Sequence, residues 1–169
     1  AAAQLHDSQC NFRLKFVGDG PERPRLERMV AAKGLSSKVT FTGFLRGETF
    51  QQATEDVAAV VMPSIWEETA GLAAMEQMMR GRLVIAADIG GLGEVVDGAG
   101  LKFTAGNINQ LAACMKRVID HPEIVSNLGA DARRRCLAMF HEDQMIDNHL
   151  SAYLQLLHVE SRRVSSVGA

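Results

Sequence analysis

An α/β domain, a doubly wound parallel sheet with helices on both faces, is the fold class that this sequence predicts. Three observations lead to it. Short β-branched or apolar runs alternate with helical stretches over residues 13–103. Two of those runs, residues 57–62 and 83–87, are continuously apolar, the pattern of a parallel strand covered on both sides. Glycine and proline punctuate the intervals. Right-handed crossovers follow from strand twist, and such folds bind ligands at the carboxyl ends of their strands.

The elements follow in order. Residues 1–9 read as the end of a helix. Residues 13–17 read as a strand that stops at the turn Gly18-Asp19-Gly20-Pro21. Residues 21–33 are helical, with Leu26, Met29 and Val30 on one face and Gly34 just past the end. Residues 38–42 alternate and are β-branched, so a strand is expected. A short helix is expected over 48–55, then the strand 57–62 closed by Pro63. Residues 70–80 read as a helix ending at Gly81, residues 83–87 as a strand, and residues 88–93 as a glycine-rich loop. After a short strand at 101–103 only helices remain, over about 107–120, 122–139 and 142–158, so the C-terminal end is helical. Residues 1–158 form one domain on this reading, and residues 159–169 a small, polar, disordered tail.

Composition narrows the classes. Apolar residues make up 47% and charged residues 22%, enough to build a core and too apolar for a disordered chain. A net charge of -2 lacks the basic excess of a general nucleic-acid binder. The sequence shows no signal peptide and no apolar run of membrane-spanning length. Cys10, Cys114 and Cys136 are far apart and form no C-x-x-C pair, so buried, reduced thiols in a cytoplasmic protein are expected.

The chemistry concentrates in Pro63-Ser64-Ile65-Trp66-Glu67-Glu68-Thr69-Ala70-Gly71-Leu72-Ala73-Ala74-Met75-Glu76. A buried strand ends, a loop carries acids, and a helix begins near Gly71. Its first N–H groups attract anions such as phosphate. Gly71 removes a side chain where a ligand approaches the backbone. Glu76 has Leu72, Ala73 and Met79 as helical neighbours, which puts a carboxylate on or beside the apolar face, where it needs a partner. Glu68 and Glu76 stand roughly 12 Å apart if helical rise holds throughout. That span fits an acid for the sugar and an acid for the ribose of a nucleotide-diphosphate sugar. Alternatively, Glu67 and Glu68 are first-turn acids favoured by the helix dipole, and Glu76 reaches water.

The run Pro-Ser-x-x-x-Glu, seven residues, Glu resembles the retaining glycosyltransferases of family 4, also called group 1, which have the GT-B fold. Flanking segments match as well: Phe16-Val17-Gly18-Asp19-Gly20-Pro21, Val39-Thr40-Phe41-Thr42-Gly43-Phe44-Leu45, and Gly90-Gly91-Leu92-Gly93-Glu94-Val95-Val96, similar to that family's Gly-Gly-x-Pro-Glu segment. The similarity spans about residues 11–156. It implies the Rossmann-like, donor-binding C-terminal domain of such an enzyme. It further implies transfer of a sugar from a nucleotide sugar to an acceptor, with retention and without an essential metal or other cofactor. Glu68 then lies near the donor sugar as the catalytic candidate. Glu76 holds the ribose hydroxyls, the amides of Gly71 and Leu72 face the diphosphate, and Phe44 and Leu45 border the base. Gly18 and Thr69 complete the candidate substrate-binding set.

The chain also departs from the family. Ala70 stands in place of Phe, which implies a wider pocket wall, and Gly93 in place of Pro, which implies a looser loop. Arg80 and Leu83 also replace commoner residues. The family's first strand, with the Arg and Lys that bind the diphosphate, and its acceptor domain would precede Ala1. On that comparison the chain is a fragment, inactive alone, with a gap in its sheet between residues 13–17 and 57–62. That gap would be closed by the missing segment or by another copy of the chain. Any peripheral membrane association would come through the absent domain.

Other patterns carry less. Gly18-Asp19-Gly20 meets Arg23 where a dinucleotide fingerprint needs a third glycine. The sequence contains no phosphate loop and no Asp-x-Asp. His141 and His149 read as solvated or capping residues, and Arg133-Arg134-Arg135 as a solvated face. Trp66 either stacks on a ligand or packs on the domain. Two other functions stay open: a GT-B nucleotide-sugar epimerase, and a non-catalytic module that binds a nucleotide sugar or a partner subunit.

Overall fold

The structure, a computed structural model, describes residues 1–166. In chain order the elements are α1 Ala2–Asp7, β1 Leu14–Val17, α2 Arg23–Ala32, β2 Val39–Gly43, α3 Gly47–Ala53 and β3 Ala59–Met62. They continue with α4 Leu72–Met79, β4 Leu83–Ala87, α5 Gly90–Val96, β5 Leu101–Phe103, α6 Ile108–Asp120, α7 Glu123–Met139 and α8 Glu142–Ser166. The fold is α/β and Rossmann-like: parallel strands flanked by helices, with a helical C-terminal end. None of the described helices is long and apolar enough to cross a membrane.

The strands form two sheets. β1 pairs with β2 in parallel, with Phe16 opposite Phe41 and their rings stacked at 4.9 Å. β3, β4 and β5 form a second parallel sheet in that order, with Val60 opposite Val84 and Ile85 opposite Leu101. Asp56, just ahead of β3, pairs with Arg13 at 3.6 Å and Lys15 at 2.5 Å. These ion pairs bring the start of β1 beside the segment that leads into β3. The carboxyl ends of β1 and β2, which pair in parallel, lie together.

The core is organised by β4, all five of whose residues are buried. Side chains alternate across a strand, so β4 feeds two clusters. Val84 and Ala86 pack with Ala74 and Met78 of α4, Leu92, Val95 and Val96 of α5, and Ala132 and Cys136 of α7. Leu83, Ile85 and Ala87 pack with Leu101 and Phe103 of β5, against Leu111, Met115 and Val118 of α6 and Leu128 of α7. Burial of that kind is worth about 1.5–3 kcal/mol for each large side chain.

Several expectations are corrected. The strand expected at residues 57–62 is only half-buried along its length, because β3 is a sheet edge and pairs with β4 alone. Its apolar run does not signify cover on both faces. Of the loop expected over residues 88–93, residues 90–93 are the start of α5, so Gly93 sits in a helix and does not loosen a loop. A Cβ at position 93 would come within 2.4 Å of Asp88 Oδ1, and Asp88 is held 3.1 Å from Lys102 Nζ. The Arg133–Arg135 run is not merely a solvated face. Arg133 donates to the carbonyl of Met79, and Arg135 donates to those of Val95 and Glu94 at 2.9 and 2.8 Å. These arginines cap the open carbonyls of α4 and α5. α8 continues to Ser166, beyond the expected end at 158, while residues 167–169 of the expected tail lie outside the described residues.

Among the described residues, β1 and β3 each keep one edge without a strand partner. Phe16 and Val17 are 36% and 37% exposed at the β1 edge. Unpaired parallel edges beside exposed apolar side chains recruit other strands. The purified 169-residue chain is therefore expected to self-associate, with a light-scattering mass that rises with concentration above 18.4 kDa. A mass that stays at the monomer value up to high concentration would show that these edges recruit no partner strand.

Candidate functional site

The carboxyl end of β3 opens into the segment 63–71. Pro63 ends the strand, because its ring fixes φ and removes the N–H that pairing needs. Ser64 Oγ then donates to Glu68 Oε1 at 2.5 Å. One residue of the acid pair is thus tied back to the end of the sheet. Glu67, its neighbour, is exposed.

The same segment is seated on the start of α5. The Gly91 N–H donates to the Glu68 carbonyl at 2.7 Å. A Cβ at Gly91 would come within 2.2 Å of the Thr69 carbonyl oxygen, and one at Gly90 within 2.9 Å of that of Glu68. Backbone lies against backbone here, and only glycine fits on the α5 side. Gly71 closes the segment in the left-handed region at φ 55°, and its Cβ position lies 3.2–3.3 Å from Leu92. Gly71 is therefore required by the backbone and by packing on Leu92, whatever else lies near it.

α4 begins at Leu72, directly after Gly71. The Ala74 N–H donates to the Gly71 carbonyl at 2.9 Å, which leaves the N–H groups of Leu72 and Ala73 as the open ones, and the helix dipole makes that end partly positive. Glu67 and Glu68 lie before the helix, so neither is a first-turn acid. Only the stretch from Leu72 to Glu76 is helical, roughly 6 Å of rise, so helical rise does not set the separation of the two glutamates.

Glu76 is also corrected in burial. The buried face of α4 is Ala74, Gln77 and Met78, while Leu72, Ala73 and Glu76 share the exposed face. Small and apolar residues occupy every position from 71 to 75, so composition did not reveal which side of the helix faces the core. Glu76 is solvated rather than buried, and it needs no protein partner.

The remaining candidates fall in two groups. Glu68, Thr69, Gly71 and Leu72 lie together on the α5 seat and the α4 start, with Leu72 70% exposed. Gly18, Phe44 and Leu45 lie at the ends of β1 and β2, where the Gly18 N–H donates to the Gly43 carbonyl at 2.9 Å. Nothing comes within 4 Å of a Cβ at Gly18, so the chain approaches open space there. Phe44 is 65% exposed, with the Arg46 guanidinium 4.8 Å from its ring. The two groups belong to different sheets. Trp66, 79% exposed, does not pack on the domain; with Ile65 it forms an apolar tip on the acidic segment.

Sequence reasoning missed Ser64 and the role of the glycine pair. The spacing of Leu92, Val95 and Val96, three and four apart, was the available signal that the glycines open a helix. Nearby, Lys102 bridges Asp88 and Asp97, and its ammonium holds the Asp97 carboxyl below the usual carboxylate range. Burial pushes the thiols of Cys114 and Cys136 up, as expected for inert cysteines. Among the described residues there is no cluster of three metal-ligating side chains.

A family model described as glycosyl transferases group 1 matches residues 1–121. The 2-deoxystreptamine glucosyltransferase of Streptomyces kanamyceticus is 37% identical over 124 residues, which cover 72% of this chain and 32% of that protein. Sucrose-phosphate synthase from Thermosynechococcus elongatus superposes with a TM-score of 0.77 at 28% identity, covering 94% of this chain and 42% of that one. Anabaena Alr3699/HepE, in complex with UDP-glucose, superposes with a TM-score of 0.71 at 25% identity, covering 89% and 43%. The chain spans about a third of the length of the curated relatives it matches, 32% and 34% for two of them.

The backbone seat makes a direct prediction. Gly91→Ala should lower stability by about 1–3 kcal/mol through overpacking against Thr69. Gly20→Ala, where nothing lies within 4 Å of the new methyl, should change it by no more than about 0.5 kcal/mol. Urea unfolding of the two variants checks this. Equal midpoints would show that the 67–69 segment does not rest on α5.

Proposed function

The chain belongs to the group 1 glycosyl transferases, and on that premise we propose that it is the nucleotide-sugar-binding part of a retaining family 4 enzyme with the GT-B fold. One observation carries this reading: a tethered carboxylate, Glu68, sits on the same short segment as the open amino end of α4. A nucleotide-diphosphate sugar needs both, an anion site for the diphosphate and an acceptor for sugar hydroxyls.

The residues divide the work as follows. The amides of Gly71 and Leu72 at the start of α4 face the diphosphate, where backbone N–H groups and the helix dipole meet negative charge without reorganising. Glu68 lies beside the donor sugar. Glu76, solvated one turn along α4 from Leu72, takes the ribose hydroxyls; its exposure supports that role, because a carboxylate in a protein ion pair would have to break it first. Gly18 lets the backbone approach the ligand, Thr69 lines the sugar side, and Phe44 and Leu45 border the base. The complex of Anabaena HepE with UDP-glucose supports a uridine donor.

In the whole protein the sugar passes to an acceptor with its anomeric configuration retained. Charge on the departing diphosphate grows as the glycosidic bond breaks, and the α4 amides stabilise that charge more than they stabilise the bound donor. No resident metal is assigned to this step.

Calorimetry with UDP on the full-length protein tests the reading. Losing a hydrogen bond to a charged group costs about 1.5–3 kcal/mol, so Glu76→Ala should weaken binding by roughly 10-fold or more with an unchanged melting temperature. Unchanged affinity would leave Glu76 as an ordinary solvated acid and remove the ribose contact from the proposal.

A further inference from the structure

Glu68 is held at two points that belong to different elements. Its carbonyl accepts from Gly91 at the start of α5, and its carboxylate accepts from Ser64, which directly follows the Pro63 stop of β3. The first contact fixes the backbone. It leaves the side chain free to turn about its own bonds, and a glutamate so held samples several rotamers. The second contact restricts that freedom. With Oε1 engaged by the Ser64 hydroxyl at 2.5 Å, the carboxylate is biased toward this orientation, with Oε2 as its other oxygen. Both residues are half-buried, which limits competition from water for the hydroxyl.

The serine is well placed for this. Pro63 fixes its own φ and restricts Met62, the residue before it, to extended backbone, so Ser64 leaves β3 in a defined direction. β3 is hydrogen-bonded to β4, the most buried strand. The carboxylate is thereby referenced to the sheet, not only to its own loop. Trp66 and Ile65, which lie between the two partners in sequence, are 79% and 66% exposed and contribute no packing that would fix Glu68 instead.

We propose that Ser64 is a positioning residue for Glu68: its hydroxyl sets the direction in which the carboxylate offers its free oxygen to the donor sugar. The inference rests on the reading of Glu68 as the sugar-facing acid. Ser64 itself touches no substrate. Its influence falls on the reacting end of the donor, not on the diphosphate or the ribose, which depend on α4 and Glu76. Misorientation of a correctly located group costs rate more than binding.

The test uses the full-length transferase with its nucleotide-sugar donor. Ser64→Ala should lower kcat about 10-fold, the loss of one hydrogen bond to a charged group at a partly wetted site. The affinity for UDP and the melting temperature should stay unchanged. Ser64→Thr keeps the hydroxyl and should restore most of the rate. In a Glu68→Gln background, Ser64→Ala should cost much less than in the wild type, because the two residues act as one unit. If Ser64→Ala keeps the wild-type rate while Glu68→Gln loses it, the positioning role is overturned and the sugar-facing reading of Glu68 stands. If Glu68→Gln keeps the wild-type rate, the reading of Glu68 itself fails, and the positioning role with it. If Ser64→Ala lowers the melting temperature and UDP affinity in step with rate, Ser64 is a loop staple only and the proposal is overturned.

Discussion

Backbone of residues 67–69 rests on the backbone of Gly90 and Gly91, and the candidate site depends on that contact. It brings the acidic segment onto the first turn of α5, with the Gly91 N–H on the Glu68 carbonyl at 2.7 Å. A side chain on either glycine would lift the segment away. With the segment in place, Gly71 can turn into the left-handed conformation against Leu92, and α4 starts where its open amides lie beside the acids. Without it, the acid loop and the helix end would be separate features with no fixed relation.

The contact has well-packed supports on both sides. α5 packs Leu92, Val95 and Val96 into the cluster around Val84 and Ala86 of β4, and Arg135 caps its last carbonyls from α7. α4 buries Ala74 and Met78 in the same cluster. The loop is therefore anchored by two helices that share one core with β4. The second sheet, β1 with β2, contributes Gly18, Phe44 and Leu45 and is tied to the first through Asp56 and its basic partners. Surface ion pairs of that kind contribute little, up to about 1 kcal/mol.

Much of this was legible in the sequence. Alternation of short strands with helices gave the α/β class, and Pro63 and the glycines marked the element ends. Residues 83–87 read correctly as a fully covered strand because a buried strand is apolar at every position. The same pattern misled at residues 57–62, since an apolar run does not distinguish a central strand from an edge strand. Gly90-Gly91 read as a loop because glycine is a poor helix former; a close backbone approach, which no local pattern encodes, is what selects it there. Glu76 shares a face with Leu72 and Ala73 as expected, but that face is the exposed one, which the small and apolar run from Leu72 to Met75 did not reveal. The contact of Ser64 with Glu68 depends on how a non-helical loop folds back, and spacing alone did not foretell it.

Residue-resolved amide hydrogen exchange of the full-length protein, with and without UDP-glucose, tests the central claim most directly. If the acid segment is seated on α5 and forms the donor site, the Gly91 amide is protected in the free protein. Added ligand then raises protection most at residues 64–72 and at Gly91. A Gly91 amide that exchanges at the rate of an open loop, with ligand protection centred elsewhere, would contradict it.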